Sequence, residues 1–238
     1  MPEPFSARLL PAFVVTLLFA MMAYLLRGVT TGGALAGAAV SFVLYLSLGL
    51  AGFLVLLSVF VLTLAATRLG YARKQRLGTA EPRSGRSASQ VCANLLVGTL
   101  MAAWFAVSPR LAFLAAATAA LAEAAADTVS SEVGQALGRR AYLITTAEPV
   151  PPGTDGGVSF PGTLAGVLAA LVVAGVAVAV QMIPAVAFGP ATAAAMLGMF
   201  LDSYLGATLE RRGTLNNDAV NFFGTALAGG LSILLLSL

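Results

Sequence analysis

The stretch TRLGYARKQRLGTAEPRSGRS (Thr67–Ser87) sets Arg68, Arg73, Lys74, Arg76, Arg83 and Arg86 between two long apolar runs. Basic residues collect in the short cytoplasmic loops of membrane proteins, so this segment orients everything on either side of it. The chain around it has 238 residues, 59% hydrophobic and 10% charged, with a mean hydropathy of +0.92. Soluble domains are roughly a quarter charged, so this composition reads as an integral membrane protein.

A helix needs about 20 apolar residues to cross the hydrocarbon. Such runs fall at 9–26, 32–48, 50–67, 88–107, 110–127, 161–183, 185–206 and 219–238. The expected fold is all-α: a polytopic membrane helix bundle forming one integral membrane domain over 1–238, with eight transmembrane helices. Residues 32–67 are too long for one helix and short for two, with Gly49 and Gly52 as the only break, so six or seven spans are the fallback. With Thr67–Ser87 cytoplasmic, counting outward puts Arg27, Arg139/Arg140 and Arg211/Arg212 on the same side and leaves Arg8 and Arg110 outside. Both termini then lie outside, and the spans pair into four hairpins whose linking loops all face the cytoplasm. The opening MPEPFSARLLPAF has no Arg- and Ser-rich extension, and no small-residue cleavage site closes the first apolar run, so the first span is expected to be retained.

Composition also restricts the chemistry. The chain has no histidine and one cysteine, Cys92, which excludes a Cys/His zinc site, a Ser-His-Asp triad, a haem ligand set and an internal disulfide. The net charge of +3 is small and its carriers lie beside apolar spans rather than among aromatics, so no nucleic-acid partner is expected. Carboxylates, amides, hydroxyls and arginines remain.

Of ten acidic residues, Glu3, Glu81, Glu148 and Glu210 read as solvated charges in termini or loops. Glu123, Asp127, Glu132, Asp155, Asp202 and Asp218 fall at the cytoplasmic ends of the last four spans or in their loops. An ionisable group inside a span costs at least about 2.5 kcal/mol at the helix centre, so these are functional candidates. In LAEAAADTVSSEVGQALGRR, Glu123, Asp127 and Ser131 recur every fourth residue and share a broad helix side with Gly134 and Gly138. Small residues on one side also describe an ordinary membrane-helix packing face. Several carboxylates near one depth repel unless a cation sits among them, and hard oxygen ligands suit Mg²⁺, which shares its coordination with phosphate. Asp127, Glu132, Asp202 and Asp218 are the expected ligands.

The segment TLNNDAVNFFGT crowns the last span with Asn216, Asn217, Asp218 and Asn221, more polar groups than a helix cap needs. Gln90 and Asn94, just past Arg86, line the entry to the fourth span. EPVPPGTDGGVSFPGT (Glu148–Thr163) cannot be helical. Its Gly153, Gly156 and Gly157 permit positive φ, so backbone N–H groups around Thr154, Asp155 and Ser159 can form an anion-binding concavity at a helix start. A plain connecting turn is the bland alternative. The segments D155-GGVSFPGTLAG and D218-AVNFFGTALAG read as a parallel internal repeat over 120–183 and 195–238, although Gly/Ala/Thr-rich helices share letters by composition alone.

ADTVSSEVG (126–134), YLITT (142–146), VPPGTDGGVS (150–159), LDSYLGATLE (201–210) and LNNDAVN (215–221), with GRSASQVCAN (85–94) upstream, together resemble the motif series of the DUF92 family, which contains transmembrane protein 19 and plant phytyl-phosphate kinase. The wording DTVSSE and YLITT is similar to its plastid and cyanobacterial branch. The resemblance implies a multi-pass enzyme of a bacterial plasma or thylakoid membrane. Its implied reaction is Mg²⁺-dependent phosphorylation of phytyl or prenyl monophosphate by CTP or ATP. Arg139, Arg140, Arg211 or Arg212 would neutralise the phosphates, and the lipid-soluble tail would lie among the small-residue faces, open to membrane lipids. A cytidylyltransferase and a lipid-phosphate transporter are the rival readings. The oligomeric state is not written in these motifs.

Overall fold

The protein is seen here in a computed structural model that describes residues 5–237; Glu3 lies outside them. Eight helices follow from the apolar runs: α1 (Phe5–Leu25), α2 (Thr31–Arg68), α3 (Tyr71–Leu77), α4 (Ala88–Val107), α5 (Leu111–Leu137), α6 (Phe160–Ala179), α7 (Phe188–Leu205) and α8 (Asn217–Leu236). Three short strands, β1 (Ala141–Leu143), β2 (Pro149–Val150) and β3 (Gly157–Val158), lie between α5 and α6. All the helices except the seven-residue α3 are long and apolar enough to cross a membrane.

The 38 residues of α2 resolve the weak point of the sequence. Drawn straight they would reach about 57 Å, nearly twice the hydrocarbon thickness of about 30 Å. At Gly49 the backbone instead turns to φ 66, ψ −155, a region open to glycine. A β-carbon on Gly52 would stand 2.9 Å from the carbonyl oxygen of Leu44, eight residues back. In a straight helix that separation is about 12 Å, so the chain doubles back at Gly49. The first half starts at Thr30, whose N–H donates to Arg86 O at 2.9 Å, and ends near Ser47, whose carbonyl accepts from Arg8 at 3.3 Å. The second half returns to Arg68, whose guanidinium donates to Leu26 O at 2.5 Å. One helix by continuity is two passes by direction, and the bundle has eight passes in four hairpins.

The four linking loops meet at one end, called the loop face below. Val29 bridges to Arg86, Arg73 donates to Gly138 O, and Gly156 abuts Ala207. Every spanning helix that starts there has a side-chain cap. Thr30 accepts from Gly33 N at 3.1 Å, Ser87 from Gln90 N at 3.3 Å, Ser159 from Gly162 N at 3.3 Å and Asn216 from Ala219 N at 2.9 Å. Each such cap contributes about 1 kcal/mol. The N-caps of α5 and α7 at the opposite face, Arg110 and Ala187, make no such bond.

α5 is the axis of the bundle. Every residue from Ala115 to Ala126 is buried, as expected of a helix apolar on all sides, and α2, α4, α6, α7 and α8 pack around it. Small residues set those crossings. A β-carbon on Gly162 would stand 2.6 Å from Ser130 O, and one on Gly98 would stand 2.9 Å from Leu121, so the backbones approach as closely as glycine allows. The Glu148–Thr163 segment is non-helical, as its prolines require. It folds with β1 into an antiparallel sheet of order β2-β1-β3.

Candidate active site

Two carboxylates from different hairpins come together below the loop face. Asp127 lies ten residues before the end of α5, a depth of about 15 Å along the helix, and Asp202 lies near the end of α7. Their carboxylates are within hydrogen-bonding reach of each other. Neither is a donor when ionised, and the buried Oδ2 of Asp202 has no hydrogen-bond partner, so the pair repels unless a cation or proton lies between. One turn deeper, Glu123 is 1% exposed and its Oε1 also lacks a donor. Glycines make its room. A β-carbon on Gly224 would stand 2.5 Å from Glu123 Oε1, and one on Gly198 would stand 2.7 Å from its Cγ.

Mg²⁺ fits this donor set. It is normally held by one or two carboxylates, with phosphate and water completing its shell. Among the described residues no three acidic, histidine or cysteine side chains stand close enough to hold an ion by themselves. Asp127 and Asp202 are the residues that would hold it.

A second acidic pair flanks the first. α7 ends in a π-helical turn, Gly206–Glu210, a feature frequent at functional sites. Gly156, at φ 73, packs so closely on Ala207 that no side chain fits there. This contact brings Asp155 near Glu210, whose charge also bears on Asp127. Sequence reasoning assigned Glu210 to solvent. The signal was its eight-residue spacing from Asp202, about two helical turns.

The other expected ligands lie elsewhere. Glu132 pairs with Lys74 at 2.5 Å, the one ion pair among the described residues. Lys74 is fully buried and also donates to Ala66 O at 3.1 Å and Thr67 O at 2.6 Å. It ties the end of α2 to α5 through Glu132, and Lys74 is no surface charge. Asp218 sits in the first turn of α8 and is not among the charges bearing on Asp127 or Asp202. Ser131 is exposed and accepts from Gln135 at 3.0 Å. Gly134 and Gly138 pack on Ser159, so the packing reading holds for these two glycines, and Ser159 is a buried cap. Thr154 and Gly157 spend their N–H groups inside the turn, on Pro151 O at 3.2 Å and Thr154 O at 2.8 Å. The turn therefore has fewer free N–H groups for an anion than the sequence promised. Arg139, Arg140, Arg211 and Arg212 are exposed. Asn216 caps α8, Asn217 is exposed, and Asn221 is buried a turn further in. Asp155 precedes the cap of α6 while Asp218 follows the cap of α8, so matching letters of the two segments occupy different places.

Arg86, Gln90 and Asn94 gather at another feature, a cavity of about 320 Å³ between α1, both halves of α2 and α4, reaching Ala124 and Thr128 of α5. Gln90 completes a capping box with Ser87 and donates to Glu81 at 3.2 Å, and Asn94 donates to Gln90 O at 2.9 Å. Arg86 stands near enough to Asp127 for their charges to interact.

The chain matches the family described as integral membrane protein DUF92 over residues 14–229. It is 37% identical over 196 residues to the uncharacterized membrane protein sll0875 of Synechocystis sp., covering 80% of this chain and 76% of that one. It is 34% identical over 222 residues to Protein VTE6, chloroplastic, of Arabidopsis thaliana, covering 86% and 66%. With the uncharacterized membrane protein MJ0933 of Methanocaldococcus jannaschii it shares 32% identity over 237 residues, covering 96% and 94%. No solved structure matches.

Proposed function

The chain belongs to the DUF92 family of integral membrane proteins, and from that premise we propose that it is a membrane phosphotransferase, moving the γ-phosphoryl group of a nucleoside triphosphate onto a prenyl monophosphate. The motif resemblance supports phytyl phosphate as the acceptor and CTP or ATP as the donor. One observation carries the reading: Asp127 and Asp202 face each other across two hairpins, with a buried carboxylate oxygen that has no donor.

Phosphoryl transfer asks a protein for positioning and charge neutralisation more than for covalent chemistry. An oxygen of the acceptor monophosphate attacks the γ-phosphorus, the new P–O–P bridge forms, the β–γ bridge breaks, and the nucleoside diphosphate leaves with the electron pair. A phosphate oxygen is already anionic near neutral pH, so no general base is required, in keeping with a chain that lacks histidine. Mg²⁺, when bound by Asp127 and Asp202, supplies positive charge for the donor phosphates. The acidic pole of Asp127, Asp202, Asp155 and Glu210 repels a bare anion and accepts one that brings a cation. Arg86 lies on the other side of Asp127 and meets a bare phosphate directly. The two substrates are thus sorted by charge, donor to the carboxylates and acceptor to the arginine. By the positive-inside rule this loop face is cytoplasmic, where nucleotides are.

The test is purified protein in lipid nanodiscs with phytyl phosphate, Mg²⁺ and each labelled nucleotide. Phytyl diphosphate and a nucleoside diphosphate are the expected products. Release of pyrophosphate would make it a cytidylyltransferase, and turnover of no nucleotide would favour a lipid-phosphate transporter.

A further inference from the structure

The cavity beside α1 has two chemically distinct parts. Its inner walls are apolar, with Phe19 from α1, Leu56, Val59 and Phe60 from the returning half of α2, and Leu95 from α4. Its mouth at the loop face is lined by Arg27, Arg68, Arg83 and Arg86, against one carboxylate, Glu81. None of these arginines forms an ion pair among the described residues. Arg68 is spent on Leu26 O and Arg83 lies 5.7 Å from the Tyr71 ring, whereas Arg27 and Arg86 make no side-chain hydrogen bond among the described residues. Arg27 also holds a left-handed backbone, φ 52, rare for a residue with a side chain. Unpaired guanidinium groups over a narrow apolar slot complement one ligand shape, a single hydrocarbon chain ending in a phosphate.

We infer that this cavity is the acceptor site of the proposed reaction, with Arg27 and Arg86 binding the monophosphate head, the slot between α1 and α2 taking one isoprenoid chain, and Gly37 setting the chain length admitted. The inference rests on the proposed function for its reaction but not for its chemistry of binding. Gly37 lines the slot, and a β-carbon placed there meets nothing within 4 Å. A side chain at 37 therefore starts in open cavity space rather than against protein. The cavity reaches Thr128, the neighbour of Asp127, so a head held by Arg86 lies beside the carboxylate pair while its tail stays on the N-terminal side of α5.

Binding is measured without nucleotide, in phosphatidylcholine nanodiscs, using tritiated geranyl and geranylgeranyl monophosphates and geranylgeraniol. Geranylgeranyl monophosphate should bind saturably and phosphatidylglycerol should not displace it. Gly37→Leu should weaken the longer monophosphate about tenfold while leaving geranyl monophosphate within about twofold, since only the buried far end of the chain is lost. Arg27→Gln with Arg86→Gln should weaken both monophosphates about tenfold or more and leave the alcohol unchanged. A diazirine at the chain terminus should label α2 between Leu56 and Thr63, a readout that needs no variant. Equal loss for both chain lengths in Gly37→Leu, labelling elsewhere, or competition by phosphatidylglycerol overturns the assignment. If binding behaves as stated and no phosphoryl transfer occurs, the site stands and the kinase reading falls; transfer with unchanged binding in all variants does the reverse.

Discussion

The two halves of the bundle solve membrane packing in opposite ways. Over its most apolar stretch α5 is 78% buried, against 22% for α1 and for α2. The C-terminal half builds its crossings from alanine and glycine and encloses the Glu123, Asp127 and Asp202 carboxylates among them. The N-terminal half uses Phe19, Leu56, Val59 and Phe60, whose bulk keeps helices apart and leaves a cavity. Lipid tails are as apolar as leucine, so tight association inside a membrane comes from close packing rather than from hydrophobicity. Backbone-to-backbone contact holds charged groups in place, and large side chains make a compartment.

Substitutions can break that comparison. The largest effect is expected from Asp127→Asn or Asp202→Asn, which should cut phosphoryl transfer about a thousandfold by removing charge stabilisation, with an unchanged size-exclusion profile; near-normal turnover would remove the pair from the chemistry. Lys74→Met comes next. It strands Glu132 in a buried setting and should cost about 3–5 kcal/mol, read as a fall in the thermal melting midpoint, with Lys74→Met plus Glu132→Leu recovering most of it. Gly162→Leu forces α6 off Ser130 and should cost about 1–3 kcal/mol by overpacking in the same melting assay. The smallest shift belongs to Gly175→Leu, where an added β-carbon meets nothing within 4 Å; it should stay within about 0.5 kcal/mol. Equal sensitivity at 162 and 175 would mean that the close crossings do not hold the C-terminal half.

Much of the fold was legible because apolar length and arginine placement act over whole segments. The basic run Arg68–Arg86 lies at the loop face with the other linking loops, and Gly49 was visible as a break. The DTVSSE and LDSYL segments yielded the facing aspartates, since a carboxylate set well inside an apolar helix is costly enough to mark a site. What stayed hidden depends on contacts that no local pattern encodes. Lys74 is one of six basic residues in its segment, and only the docking of α3 on α5 separates it from its solvated neighbours. Its pairing with Glu132 engages a residue that the sequence reading offers to a cation. Glu210 reads as a loop charge because the apolar run ends at residue 206, while helical structure continues to Glu210. The cavity beside α1 is legible in the sequence only at its mouth, through Arg86, Gln90 and Asn94; no local pattern separates its apolar walls, Phe19, Leu56, Val59 and Phe60, from other residues of the spans.

The elbow at Gly49 bears on how the protein is made. A connection of one glycine carries no polar segment to be pushed across the bilayer, so the two arms of α2 can enter as one closed pin with Arg8 latched over its tip. An epitope inserted after Gly49 would therefore hinder biogenesis, lowering the yield of inserted protein, while the molecules that do assemble keep their chemistry at the far surface.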